Sequence, residues 1–359
     1  MRILLLLVVV ICVPGSLISQ AQQKPPQAGY SESGVYTPRV FPARKGSKNA
    51  DANRPDPHLN ASQKFSFPLS VIDQKGDLVK DLRADEVTVY IDGQIAKIDS
   101  VEASTAPINV VLLLDVSPSA FVDAKGKLQS ADVMRDMATR LIARLGPQDR
   151  VMIATFAENV KVISDFTSDR EVIKKALKKV EQRDGTAIYN ALTDLLSKYL
   201  PDPPFPLGII VMTDGVDTVS RKATYESSLT VAERSRVPIF PIYFDTYAAN
   251  QKGLTSPLSQ LTGILVPLPA GTRGSTKEDY ELARYYLSDL TALSGGHAVL
   301  ADQVIAGKTL SFDIIPDEIR SQYLLTVSPP TSQAGTRHQI RVRIDRPGMT
   351  VFSKATYLE

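Results

Sequence analysis

Ile108-Asn-Val-Val-Leu-Leu-Leu114, followed at once by Asp115-Val-Ser117-Pro-Ser119, decides how this chain is read. The leading run is mostly Val and Leu, the pattern of a strand buried on both faces. A carboxylate and two hydroxyls then stand just past the strand's carboxyl end, where open α/β sheets place their ligands. All three offer hard oxygen, the donor that Mg²⁺ prefers. Their alternate spacing in an extended loop lets Asp115, Ser117 and Ser119 point towards one centre. Two more oxygens of the same kind occur at comparable places. Thr186 follows Asp184-Gly185 at the mouth of a helix, and Asp214 follows the apolar run Gly208 to Met212 and precedes Gly215. Parallel neighbouring strands would bring these loops together at one sheet edge as a metal site, with room for an outside ligand.

Working outward, strand and helix signals alternate from Ile108 to about Asp302. Strands are expected at Ile108–Leu114, Val151–Phe156, Val160–Ser164, Gly208–Thr213, Val237–Phe244 and His297–Leu300. Between them lie amphipathic helices. One runs from about Leu128 to Leu145 and stops at Gly146-Pro147. A second opens on a capping box, Ser168-Asp-Arg-Glu171, with Val172, Ile173, Ala176, Leu177 and Val180 on one face. A third carries Ile188, Ala191, Leu192, Leu195, Leu196 and Tyr199. This rhythm predicts an α/β fold with a doubly wound, mostly parallel sheet. Thr246 to about Lys277 interrupts it with a long irregular connection.

The flanks read differently. Phe65, Phe67, Leu69 and Val71 alternate with Ser66, Pro68, Ser70 and Ile72, and Asp92-Gly93 marks a hairpin. At the far end Tyr323–Val327, Gln339–Ile344 and Thr350–Ser353 read as strands, with Arg341 and Arg343 on an outer face. Neither β segment is large enough to stand alone, so they are expected to pair as a small β-sandwich bracketing the α/β domain. The N-terminus reads as a signal peptide: Arg2, an apolar core from Ile3 to Val13, then Ser19-Gln20-Ala21 as the cleavage site. That run is short for a bilayer span, so no transmembrane segment is expected after cleavage; a retained anchor is the alternative. The resulting division is 1–21 signal peptide, 22–58 disordered linker, 59–105 N-terminal β module, 106–304 α/β domain and 305–359 C-terminal β segment.

Composition narrows the chemistry. Lys+Arg 41 against Asp+Glu 39 gives a net charge of +2, which offers no large basic surface for nucleic acid. Cys12 is the single cysteine and lies in the signal segment, so the mature chain would have no disulfide, thiolate metal site or cysteine nucleophile. The expectation is an exported bacterial protein, periplasmic or secreted. His58, His297 and His338 show no metal-ligand or triad spacing, and His297 is expected to be the most buried. Asp217 and Asp245 read as turn residues, and Lys174, Lys175, Lys178 and Lys179 as a solvated helix face. Thr186 also suits the cap of its helix.

The site residues resemble those of a von Willebrand factor type A domain with its metal-ion-dependent adhesion site. The family's Asp-x-Ser-x-Ser corresponds to Asp115, Ser117 and Ser119, its loop threonine to Thr186, and its Thr-Asp-Gly turn to Thr213-Asp214-Gly215. The flanks, with Asp73-x-x-Gly76 and His338-x-Ile340-x-Val342, are similar to those of an exported family known mainly from acidobacteria. The resemblance implies a bound Mg²⁺, with Mn²⁺ also compatible, whose shell is completed by an Asp or Glu of a protein partner in adhesion or envelope assembly. The alternatives are a Mg²⁺-dependent hydrolase or phosphotransferase using the same site, and a structural subunit whose site is vestigial. Enzyme activity is not expected: Ser117 stands where an aspartyl phosphotransferase would want its second carboxylate, and Gly-x-Ser-x-Gly and phosphate-loop motifs are missing. The oligomeric state is not legible.

Overall fold

The computed structural model describes residues 64–118, 131–247, 251, 274–301, 312–330 and 336–358. The expected signal peptide, linker, helix onset at Leu128 and Ser119 lie outside the described residues, as does most of the irregular connection after Thr246.

The chain begins with β1 (Phe65–Ile72), β2 (Val87–Ile91), β3 (Gln94–Ile95) and β4 (Lys97–Ala103). The α/β part follows with β5 (Asn109–Asp115), α1 (Ala131–Ile142), β6 (Arg150–Phe156), β7 (Val160–Thr167), α2 (Arg170–Lys178) and α3 (Ile188–Asp194). It continues with β8 (Leu207–Thr213), α4 (Tyr225–Arg234), β9 (Ile239–Tyr243), α5 (Lys277–Ser294) and β10 (Val299–Leu300). Then come α6 (Ile315–Arg320), β11 (Tyr323–Ser328), β12 (Arg337–Ile344), β13 (Thr350–Ser353) and β14 (Thr356–Leu358).

The central sheet has the order β10-β9-β8-β5-β6-β7, parallel throughout except for β7. Alternation along β5 divides the core. Val110, Leu112 and Leu114 face residues of α1, α2 and α6, while Val111 and Leu113 face residues of α3, α4 and α5. A strand covered on both sides must be apolar along its length, which is why β5 reads as an unbroken run. Its polar residues are confined to its two ends, Asn109 and Asp115.

The remaining strands form two antiparallel sheets, β13-β1-β11-β4 and β14-β12-β2-β3. Each mixes strands from both ends of the chain. Phe67, Leu69, Val89, Ile91, Leu325 and Val327 lie in the shared core. At the hairpin, Asp92 and Gly93 both take positive φ, 48° and 81°, as a type I′ turn requires. Arg341 is exposed and lies over the Tyr90 ring.

Several local expectations change. The cap of α2 is Asp169, not Ser168: its Oδ1 accepts from the N–H groups of Glu171 and Val172, while the Glu171 carboxylate pairs with Lys174. Val172 and Tyr199 are exposed at the margins of otherwise buried faces. The strand after the Gly295-Gly296 turn is only Val299–Leu300. His338 is buried more deeply than His297: it accepts or donates a 2.7 Å bond through Nδ1 to Asp92 and stacks on Tyr357, whereas His297 sits at a half-open junction beside Phe240 and Phe352.

Candidate metal centre

Asp115 ends β5 with no exposed surface. Its Oδ1 accepts from the Ser117 N–H at 2.9 Å, turning the chain sharply so that buried Ser117 lies beside it. Its Oδ2 accepts from the Thr213 hydroxyl at 2.6 Å. That contact follows from sheet register: Leu114 pairs with Met212, so the next residues, Asp115 and Thr213, meet across the β5–β8 ladder. Thr213 Oγ1 also accepts from the Gly215 N–H at 2.9 Å, and Gly215 takes φ 74°. A side chain at that glycine would be strained and would press on Leu287 of α5.

Asp214 follows, also without exposed surface. Its Oδ1 accepts from the Val216 N–H at 3.1 Å and its Oδ2 from the Thr246 hydroxyl at 2.8 Å. Thr246 in turn lies 3.2 Å from the Tyr280 hydroxyl at the start of α5. Burial, and then the Asp214 charge, push the Tyr280 hydroxyl far above its ordinary range, so it stays a neutral donor or acceptor.

Thr186 is buried on the loop entering α3. The cap position of that helix is Ala187, and no side chain caps it. The capping role is therefore not one that Thr186 performs. Its backbone is fixed instead: its N–H donates to Thr218 Oγ1 at 2.9 Å, and its carbonyl accepts from Thr218 N at 2.8 Å. The Arg183 N–H donates to the Val116 carbonyl at 2.8 Å, tying the same loop to the turn after β5. Gly185, with φ 79° and Val219 and Glu158 close by, makes the tight approach possible.

The three loops that carry Asp115 with Ser117, Thr186 and Asp214 are thus joined by backbone hydrogen bonds at the carboxyl edge of the sheet. Ser119 lies outside the described residues. Asp217 is half buried and accepts from the Ser220 N–H at 3.3 Å; Asp245 is exposed and accepts from the Tyr247 N–H at 3.3 Å, both as turn residues. Thr218 and Thr246 are supporting residues that pattern reading did not single out, and Thr213 entered there only as part of the Thr-Asp-Gly turn, with no role of its own. Thr213 was detectable, since it stands next to Asp214 at the end of the strand beside β5; Thr246 needed the tertiary fold.

The electrostatics of the pair are unfavourable as they stand. Burial first, then the Asp214 charge, raise the Asp115 carboxyl from 3.8 to about 7, against the opposing help of the Ser117 and Thr213 donors. Two carboxylates removed from water and set side by side resist joint ionisation unless positive charge is supplied.

The chain is similar to several solved structures. One is a conserved hypothetical protein, BatB, from Bacteroides thetaiotaomicron, with 18% identity and a TM-score of 0.39 over 57% of this chain and 98% of that one. Another is the vWF domain of the type V pili tip protein Mfa5 from Porphyromonas gingivalis, with 13% identity and a TM-score of 0.41 over 60% and 96%. A third is a von Willebrand factor type A protein from Catenulispora acidiphila, with 9% identity and a TM-score of 0.40 over 83% and 75%. No curated protein matches the sequence. The family model of the von Willebrand factor type A domain matches residues 110–216, from β5 through the Thr213-Asp214-Gly215 turn. The matched stretch is similar to that domain and is carried on the mostly parallel six-stranded sheet.

Proposed function

We propose that this protein is an exported binding module that grips a protein partner through a divalent metal. Mg²⁺ is the preferred ion, with Mn²⁺ also compatible, and Asp115, Ser117, Ser119, Thr186 and Asp214 would hold it as a metal-ion-dependent adhesion site. The observation that carries the reading is the Asp115–Asp214 pair: two fully buried carboxylates on adjacent loops, the first raised by burial and then by the charge of the second, and braced by neutral donors. A hard divalent cation suits this set of carboxylate and hydroxyl oxygens better than a softer metal does. When bound, it supplies an electrophilic position for a carboxylate oxygen of the partner. Thr213 and Thr246 orient the two aspartates, and the Ser117 and Thr186 hydroxyls contribute neutral donors that leave charge for an outside acid. The signal-like N-terminus and the flanking resemblance support export. We read the chain as a binding protein and not an enzyme, since Ser117 occupies the position a phosphoryl-accepting site would give to a second acid.

The test is affinity capture from envelope extract, with Mg²⁺ or with EDTA, using wild type, Asp115→Ala and Asp214→Ala. Circular dichroism checks that each variant keeps its fold. Capture should need Mg²⁺ and fail in both variants. Capture that survives EDTA and both substitutions overturns the reading; phosphate-ester turnover lost in Asp115→Ala would favour the enzyme instead.

A further inference from the structure

The candidate metal loops stand at the carboxyl edge of the central sheet, and the opposite edge presents a carboxylate. The helical turns after α3 end at Tyr199, the next residue, Leu200, is buried, and β8 begins at Leu207. Between them runs Pro201-Asp202-Pro203-Pro204-Phe205-Pro206. This loop is anchored at its far end, where the Pro206 carbonyl accepts from the Asn109 N–H at 3.0 Å and from its side-chain Nδ2 at 3.1 Å. The length of β8, about 23 Å at roughly 3.3 Å per residue, separates the loop from Asp214.

Three features combine at Asp202. The first is access: its side chain is 93% exposed, and the Arg236 guanidinium stands 4.0 Å away. Asp81, Asp85 and Glu171 are also open to solvent, but each is bonded to an arginine or lysine of its own. The second is order. Proline fixes φ near about −65°, and a residue that precedes proline is held to extended backbone. Asp202 has a proline on each side, so its backbone is largely set before a partner arrives and little chain entropy is lost on contact. The third is an apolar collar. Tyr199 and Pro201 are exposed, and Pro203 and Phe205 are half-buried, all within three residues of Asp202. Such a rim excludes water from a contact between charges, and the contact is stronger for it.

The metal edge calls for one outside carboxylate. Each copy of the chain carries that edge at one end of the sheet and Asp202 at the other, with the sheet between them, so a molecule cannot serve its own site. A net charge of only +2 sets little repulsion between copies.

We propose that the acid completing the metal shell is Asp202 of a second copy of this chain, so that copies join head to tail. This rests on the metal-binding reading above and names its partner. The two molecules contribute different surfaces, so each dimer keeps one free metal edge and one free Asp202 for further copies.

The test is sedimentation velocity of the full chain over a concentration series, in Mg²⁺ and in EDTA, with thermal unfolding alongside. Mass should rise with concentration in Mg²⁺ only. Asp202→Asn should weaken association by about tenfold or more, the scale of a charge-assisted contact, and keep the Mg²⁺-dependent rise in Tm. Thr186→Ala should lose both. Glu171→Gln, which removes a different exposed acid, should associate as wild type does. In an equal mixture with Mg²⁺, Asp202→Asn brings an intact site and Thr186→Ala an intact Asp202, so the two should form dimers and grow no further. The proposal is overturned if Mg²⁺ raises Tm without raising mass, if Asp202→Asn associates as wild type does, if Glu171→Gln loses association equally, or if the mixture forms no dimer. Should Mg²⁺ raise neither Tm nor mass, the metal-binding reading fails and this proposal falls with it.

Discussion

Raising the pH of the metal-free protein from acid to neutral should weaken it, and Asp115 should be the cause. Its carboxyl rises from 3.8 to about 7, through burial first and the Asp214 charge second. The folded state therefore keeps a proton that the unfolded chain gives up near its ordinary value. A carboxyl raised in this way stabilises the fold below the unfolded value, and that contribution is lost as pH climbs through the folded one. The shift is about three units, and at about 1.4 kcal/mol per unit the ceiling is about 4 kcal/mol, lost between about pH 4 and about pH 7. For a large domain 1 kcal/mol moves Tm by about 2–4 °C, so Tm should fall by several degrees and by no more than about 16 °C. Mg²⁺ acts on the ionised pair, so its stabilisation should be small at about pH 5 and reach about 2.7 kcal/mol near pH 8 at a hundredfold excess over Kd. The assay is thermal unfolding by circular dichroism across this range, in EDTA and in Mg²⁺, for wild type and Asp115→Asn. The variant keeps an acceptor for the Ser117 N–H but cannot ionise. It should show neither the fall with pH nor the response to Mg²⁺. A metal-free wild type whose Tm holds or rises over this window, or an Asp115→Asn variant that falls in parallel with it, refutes the reasoning.

Three further substitutions separate site from scaffold. Thr186→Ala should abolish the Mg²⁺-dependent rise in Tm while costing only about 1 kcal/mol of metal-free stability, since Thr186 is buried but does not cap α3; Asp169→Ala, which removes the true cap of α2, should cost about 1 kcal/mol and leave the Mg²⁺ response intact. Glu233→Ala should cost about 1.5–3 kcal/mol by denaturant melting, because it removes the carboxylate bound in a fork at 2.7 and 2.9 Å by the partly exposed Arg337 guanidinium and also bonded to Thr356; a loss under about 0.5 kcal/mol would show the clamp to be idle. Gly296→Ala should cost more than about 4 kcal/mol or prevent folding, measured as soluble yield and Tm, since a Cβ there runs into the Ile239 backbone, which cannot yield as a side chain can.

What could be read in the sequence depended on whether a residue's role was local. The β5 run and the Asp115-x-Ser117 turn declare themselves because burial on both faces and an Asx-type turn are written in consecutive residues. The same holds for Asp92-Gly93, where two positive φ angles demand that pair of residues. Thr246 was invisible: it supports Asp214 only because β9 lies beside β8, a fact of sheet order. The α2 cap falls one residue from its expected place because the Asp169 carboxylate satisfies two N–H groups of the first turn, and Ser and Asp side by side are equally good caps by pattern alone. His338 proved deeper than His297 because its neighbours, Asp92 and Tyr357, come from opposite ends of the chain. The shortness of β10 reflects its place at the edge of the sheet, where only β9 supports it.

The β segments that bracket the α/β part also complete it physically. Phe312, Ile315 and Ile319, which follow the last central strand, lie in the same apolar cluster as Val110, Leu112 and Leu114, and Ile319 fills the space that a side chain at Gly208 would need. On the other face α5 ends at Gly295, φ 92°, directly against the backbone of Ser353 and Lys354, and Ala355 donates its N–H to the Ala292 carbonyl. Lys354 reaches the Glu233 and Ser235 carbonyls at the end of α4, while Arg337 and Thr356 meet the Glu233 carboxylate. Cutting the sandwich away would strand a buried charge and uncover the ends of two helices, a loss of several kcal/mol against a typical total of about 5–15. The first turn of α5 holds Tyr280 against Thr246, and Leu287 farther along it rests on Gly215, beside Asp214. One helix therefore spans from the aspartate edge to the sandwich, about 27 Å at 1.5 Å per residue. The loops that carry the candidate site stand on that helix, and the helix stands on strands contributed by the far end of the chain.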